Sequence, residues 1–208
     1  HQLAPLDQLH IGGFATSARL LGLLDPKSQH ALDIGAGLGG LMRQGAAQGF
    51  HITGLDITHR FSALNQAISR LALSHHTAKA HHGKLRWVTG DACALPFAQT
   101  SFDAVLFQHS LMNMPDPARV LAECRRVLRP AGQLVMHEVV SGPHSEALRF
   151  PVPWAEGPMH SHLLSLSELT QRLEASGFNL QHCEDWSHTA LEWRTRQRQK
   201  EQAPRTAV

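Results

Sequence analysis

Apolar positions along this chain fall into two rhythms that take turns. Short apolar runs at residues 31–34, 51–56, 85–90, 102–107 and 133–140 are the length of buried strands. Between them, residues 38–48 and 60–73 carry apolar side chains at three- and four-residue spacing, the rhythm of a helix face. A third such stretch presents Val120, Leu121, Cys124, Val127 and Leu128, and Pro130-Ala131-Gly132 stops it. Strands alternating with helices at this spacing predict an α/β fold with a doubly wound, mostly parallel sheet. Right-handed crossovers then place helices on both faces.

The flanks read differently. Residues 1–30 are helix-forming around 5–10 and 14–24, close at Asp25-Pro26, and are expected to form an N-terminal helical lid. Residues 141–162, rich in proline, glycine and aromatics, read as an inserted substrate loop. A helix is expected over 166–176 with Gly177 as its left-handed cap. A sixth strand is expected over 178–186, then a polar helix over 189–203 capped by Ser187 or Thr189. The whole, residues 1–208, is expected to be one domain.

Ligands of such sheets sit outside the carboxyl ends of the strands, near the point where strand order reverses. Residues 33–39, 56–59, 90–96, 108–115 and 138–142 therefore border the site. The 74–84 connection lies at the opposite end, which takes the histidine pairs His75-His76 and His81-His82 away from chemistry. No carboxylate or cysteine near them completes a metal shell, so no metal is expected. With 19 basic and 17 acidic residues there is no global field directed at nucleic acid or an anionic membrane. The basic run Arg194, Arg196, Arg198, Lys200 lacks an aromatic platform and reads as a solvated helix face. Three scattered cysteines and no apolar run of membrane-spanning length point to a reduced, cytoplasmic protein. Oligomeric state is not legible.

The chemistry concentrates at Asp33-Ile34-Gly35-Ala36-Gly37-Leu38-Gly39-Gly40. Glycines let the backbone approach a ligand and accept positive φ, and the following helix offers free N–H groups. The spacing alone is ambiguous. Gly35, Gly37 and Gly40 fit the dinucleotide pattern, whereas Gly35, Gly37 and Gly39 after Asp33 suit a cofactor with an amino acid end. Asp56 closes the second strand, where an acid accepts ribose hydroxyls in either case. Asp91-Ala92 ends the third strand with a carboxylate and an adjacent N–H, placed to read an adenine edge. Leu95-Pro96-Phe97, Ser101-Phe102-Asp103-Ala104-Val105 and Arg126-Val127-Leu128-Arg129-Pro130-Ala131-Gly132 follow in order.

Together these motifs resemble the class I S-adenosylmethionine-dependent methyltransferases, over about residues 3 to 178. The narrower likeness is to the ubiquinone-biosynthesis and sarcosine/dimethylglycine methyltransferases, through residues 3–13 and 150–155. The resemblance implies a Rossmann-like fold and S-adenosyl-L-methionine as cofactor. It implies that Gly35, Ala36 and Gly37 contact the methionine part, that Asp56 binds ribose and that Ile57 lies against adenine. It also implies that Asp91 and Ala92 read the adenine edge, and that the Gln108 region meets the methionine amino group. One departure stands out: the family's sheet ends with an antiparallel seventh strand, and residues 189–194, the nearest candidate, run into an Arg/Gln-rich helical pattern.

Methyl transfer is an in-line displacement, so the protein aligns the nucleophile and excludes water. Tyrosine is absent, which leaves histidine as the proton acceptor near neutral pH. His10 on the lid and His109 after strand four are the catalytic candidates. Phe14, Met112 and Trp154, with Met114 and Phe150 beside them, could form a cup for the acceptor. A tryptophan face suits a methylated ammonium. The expected acceptor is a small molecule, through nitrogen, with O- or C-methylation of an aromatic or quinone-like metabolite as the alternative. A nicotinamide-dependent oxidoreductase and a catalytically silent S-adenosylmethionine-binding protein are the further rivals.

Overall fold

The computed structural model describes residues 11–74, 83–143 and 148–202. Five strands form one sheet: β1 (His30–Ile34), β2 (His51–Asp56), β3 (Leu85–Thr89), β4 (Phe102–Gln108) and β5 (Leu128–His137). Their order is β3-β2-β1-β4-β5 and every pairing is parallel. The order reverses between β1 and β4, so the carboxyl ends of these two strands flank the crevice. This is the doubly wound, Rossmann-like architecture that the alternation predicts.

Among the described residues there are six α-helices: α1 (Gly13–Leu21), α2 (Gly40–Ala47), α3 (His59–Ser74), α4 (Pro117–Val127) and α5 (Leu166–Ala175) pack around the sheet, and α6 (Ser187–Gln202) is largely exposed. The two faces separate by the two-residue period of the strands. Ala31, Ala104, Leu106 and Val135 pack with Leu20, Leu21, Leu41 and Met42 of α1 and α2. Leu32, Ile34, Val105 and Phe107 pack with Val120, Cys124 and Val127 of α4 and Leu169 of α5. Asp33 alternates with Leu32 and Ile34, so it emerges on the α1/α2 face at the carboxyl end of β1.

Three local devices set the frame. Asp116 accepts a hydrogen bond from the Arg119 N–H and caps α4, with Pro117 in the first turn. Ser165 and Glu168 form a reciprocal capping box that starts α5. Just before it, the Ser141 N–H donates to the Leu164 carbonyl at 2.9 Å. That bond closes the excursion after β5 at its base, so the insert leaves and returns at one place.

Two expectations need correction. The fifth strand begins at Leu128, directly after α4, five residues before its expected start. Pro130-Ala131-Gly132 does not merely end the helix: Phe102 pairs with Leu128 and Ala104 with Gln133, so residues 129–132 arch out opposite Asp103. Asp103 anchors the arch through an ion pair with Arg129 and also accepts from the Gln29 and His30 N–H groups.

There is no sixth strand over 178–186. Residues 179–185 are all exposed, whereas a paired strand would bury alternate positions. Side chains hold the segment instead. Glu184 pairs with Arg19 of α1 and accepts from the Trp186 indole N–H, and Arg19 lies 4.2 Å over the Trp186 ring. Residues 189–202 are helical, as the polar pattern predicts. His10, His144, His75-His76 and His81-His82 lie outside the described residues. Among the described residues, no helix is long and apolar enough to cross a membrane.

Candidate functional site

The turn between β1 and α2 carries three left-handed glycines, with φ of 75° at Gly35, 50° at Gly37 and 79° at Gly39. The Gly35 and Ala36 N–H groups both donate to the Leu55 carbonyl, at 2.8 and 3.1 Å, which ties the turn to the end of β2. The Gly37 N–H donates to Asp56 Oδ2 at 2.9 Å, and Asp56 Oδ1 accepts from the Thr58 N–H at 2.8 Å. Asp56 therefore holds two loops at once from a buried position.

Gly35 and Gly37 meet different surroundings. A Cβ on Gly35 would stand 2.4 Å from Ser110 Cβ, on the loop after β4. The Ser110 hydroxyl donates to the Ile34 carbonyl at 2.6 Å, so that loop presses directly on the turn. Among the described residues, a Cβ on Gly37 would meet nothing closer than the Gly35 carbonyl at 4.0 Å. Gly37 thus faces open space while held in a conformation that favours glycine, the arrangement needed for a ligand to approach the backbone.

The electrostatics of the cradle are acidic. Burial, reinforced by repulsion from Asp56, pushes the Asp33 carboxyl up from 3.8 to about 7. Unfolded Asp33 ionises near the lower value and folded Asp33 near the higher, so its charging costs stability as pH rises across that window. A ligand bringing positive charge offsets this cost. The pyrophosphate of a dinucleotide would add to it.

Gln108 sits at the end of β4. Its Oε1 accepts from the Ser17 hydroxyl of α1 at 3.1 Å, and its Nε2 is enclosed without a partner among the described residues. Gln44 of α2 donates to the Phe14 carbonyl at 3.2 Å and leaves its own Oε1 enclosed. Neither Ser17 nor Gln44 stands out in the sequence, because their place depends on how α1 crosses the strand ends. Ile57, next to Asp56, is 73% exposed, a large apolar side chain at the rim of the cradle. Asp91 accepts from the Cys93 N–H at 2.8 Å and caps the single helical turn Ala92–Ala94, with Ala92 buried.

The acceptor candidates are spread around this end of the sheet. His109 has φ 54°, donates its N–H to the His137 carbonyl and lies with its ring 4.4 Å from that of His137. The His137 ring in turn lies 4.9 Å from Trp186. Phe14 is 61% exposed on the first turn of α1, whereas Met112 is only 5% exposed and packs inward. Trp154 is half-buried in the insert, its indole N–H donating to Ser161 Oγ at 3.0 Å. The His162 N–H donates to the Met112 carbonyl at 2.8 Å, which seats the insert against the loop after β4.

Glu138, one residue past β5, underlies that loop. Its Oε1 accepts from the Ser110 and Leu111 N–H groups at 2.9 and 3.0 Å, and its Oε2 is enclosed without a partner among the described residues. Burial pushes the carboxyl up to about 7, against the opposing pull of the backbone N–H groups of Leu111, Ser110 and Met112. An acid closing an otherwise apolar strand is the signal that marks it in the sequence.

A strand-order reversal, a left-handed glycine turn with open space at Gly37 and acids ending two adjacent strands define a nucleoside-cofactor fold. A methyltransferase-domain family matches residues 32–136, from within β1 to the end of β5, and the chain belongs to that family, the class I S-adenosylmethionine-dependent methyltransferases. The chain is 38% identical over 114 residues to a ubiquinone/menaquinone biosynthesis C-methyltransferase of Paracoccus denitrificans, a region covering 53% of this chain and 42% of that enzyme. It is 28% identical over 186 residues to an O-methyltransferase of Pyrenophora dematioidea, covering 87% and 66%. The solved structure of phosphoethanolamine N-methyltransferase 2 of Haemonchus contortus, in complex with S-adenosyl-L-methionine, superposes with a TM-score of 0.72 at 22% identity. That superposition covers 94% of this chain and 45% of the other, and shows the shared fold. The matched regions span less than half the length of the ubiquinone-, menaquinone- and sterol-type relatives.

Proposed function

We propose that this chain transfers the methyl group of S-adenosylmethionine to a small-molecule acceptor, through an amine nitrogen. The observation that carries the cofactor assignment is the open, glycine-only space at Gly37 beside the buried acids Asp33 and Asp56. S-adenosylmethionine supplies an activated methyl on a sulfonium, so the cofactor brings positive charge to an acidic cradle. In this reading Gly35, Ala36 and Gly37 contact the amino acid end. Asp56 keeps carboxylate lone pairs for ribose beyond its two backbone bonds, and Ile57 covers adenine. Asp91 and Ala92 read the adenine edge from the capped turn. The Gln108 region, at the end of β4, meets the amino group of the same end.

Acceptor alignment falls to the segments around the strand ends. The half-buried indole of Trp154, fixed through Ser161, offers a face for the positive charge that develops on an amine nitrogen as it takes the methyl group. The amine attacks in its neutral form, after His109 or water has taken its proton. Phe14 and His109 border the same end, and Met112 shapes the wall from beneath. In this reading the chain is one domain with residues 1–30 as N-terminal lid and 141–162 as substrate loop, and His10, outside the described residues, remains a catalytic candidate. The second reading is O- or C-methylation of an aromatic or quinone-like metabolite with His109 as base, supported by the likeness to O- and C-methyltransferases.

Incubating the protein with methyl-labelled S-adenosylmethionine and fractionated metabolite pools tests the proposal. Label is expected in a small amine; label confined to phenols or quinols would move the assignment to the second reading. No transfer to any pool would support a silent binding protein. With the acceptor in hand, Trp154→Ala is expected to lower turnover by about tenfold, the scale of a desolvated cation–π contact. S-adenosylhomocysteine affinity should stay within about twofold, because the indole faces the acceptor. Unchanged turnover with a lowered melting temperature would make Trp154 a packing residue.

A further inference from the structure

We propose that Glu138 is a positioning residue, fixing the loop that both the cofactor turn and the insert rest upon. One carboxylate oxygen gathers the Ser110 and Leu111 N–H groups, at 2.9 and 3.0 Å. Adjacent N–H groups converging on one acceptor set the backbone direction of residues 110–112, whose own bonds are the two from the Asn113 and Met114 N–H groups to the Ser110 and Leu111 carbonyls. That segment has two dependants. Ser110 stands where a Gly35 Cβ would go and bonds the Ile34 carbonyl, so it backs the cofactor turn. The Met112 carbonyl receives the His162 N–H, so it seats the far end of the insert.

Without the Glu138 acceptor, the Ser110 and Leu111 N–H groups are left unpaired in a buried place, and the segment has to move to recover partners. The shift passes to Gly35 by direct contact, while Asp56 and Asp91 keep anchors outside the turn, at the Thr58 and Cys93 N–H groups. Glu138 therefore acts on the amino acid end of the cofactor and leaves the adenosine end alone. This inference rests on the proposed orientation, with the amino acid end at Gly35–Gly37.

Two ligands that share adenosine and differ at the other end separate these effects. S-adenosylhomocysteine carries the amino acid end, and 5′-methylthioadenosine lacks it. Calorimetry on Glu138→Ala is expected to show about tenfold weaker S-adenosylhomocysteine and unchanged methylthioadenosine, the scale of lost hydrogen bonds to a charged group. Glu138→Gln, which keeps an acceptor oxygen in the same place, is expected to recover most of the loss. Should Glu138→Ala fail to fold, Glu138→Asp, which draws the acceptor back by one methylene, carries the same test with a smaller loss confined to S-adenosylhomocysteine. Equal weakening of both ligands, or neither weakened in a folded variant, would overturn the proposal. If neither ligand bound the unaltered protein, the cofactor reading itself would fall.

Discussion

Alanine at Gly37 is expected to cost cofactor binding while sparing the fold, and alanine at Gly35 is expected to cost the fold itself. Both residues have positive φ, so each substitution carries about 1–2 kcal/mol of left-handed backbone strain. At Gly37 nothing else among the described residues opposes the methyl group, whose nearest neighbour there would be 4.0 Å away. The methyl then occupies the space through which a ligand reaches the backbone. We expect S-adenosylhomocysteine affinity to fall at least about a hundredfold, some 2.8 kcal/mol at 1.4 kcal/mol per decade. At Gly35 the new Cβ would stand 2.4 Å from Ser110 Cβ, on a side chain anchored to the Ile34 carbonyl. Overpacking of about 1–3 kcal/mol adds to the backbone strain there, enough to consume a large part of the stability of a domain. Chemical denaturation and ligand titration on the two variants check the contrast. Equal loss of stability in both would mean that Gly37 is a turn residue alone.

Asp56→Ala is the second large effect. The carboxylate holds the Gly37 and Thr58 N–H groups from one buried site. Its loss frees the backbone that faces the ligand and removes the acceptor proposed for ribose. A hydrogen bond to a charged group contributes about 1.5–3 kcal/mol, so the affinity for S-adenosylhomocysteine should fall by roughly ten- to a hundredfold or more. Asp56→Asn keeps one acceptor oxygen and should lie between. Repulsion on Asp33 also ends, so the alanine variant should lose less stability than the broken bonds alone suggest. Normal binding by a folded Asp56→Ala would remove this residue from the site.

The sheet was legible because its three central strands, β1, β2 and β4, are largely buried and read as short apolar runs between helix-period segments. The cradle was legible for a different reason: positive φ at three positions within five residues demands glycine, and glycine is visible in a sequence. Residues 178–186 misled because Phe178 and Trp186 bracket a segment that resembles a strand, while the polar side chains between them stay in water. The early start of β5 was hidden by Pro130-Ala131-Gly132, which looks like a helix stop and forms an arch within the strand. Asp91 reads as an adenine ligand from its place at a strand end, and the structure adds a capping role that occupies one of its oxygens. The contact of Ser110 with Gly35 joins residues 75 positions apart, so no local pattern announces it. The same holds for the Arg19–Glu184–Trp186 cluster that replaces strand pairing at the tail.

Calorimetric titration of the unaltered protein with S-adenosylmethionine and, separately, with NAD tests the central claim most directly. An acidic cradle with an open Gly37 predicts saturable one-to-one binding of the adenosyl ligand at about micromolar levels, near −8 kcal/mol, and no binding of the dinucleotide. Tight NAD binding with none of the adenosyl ligand would contradict it.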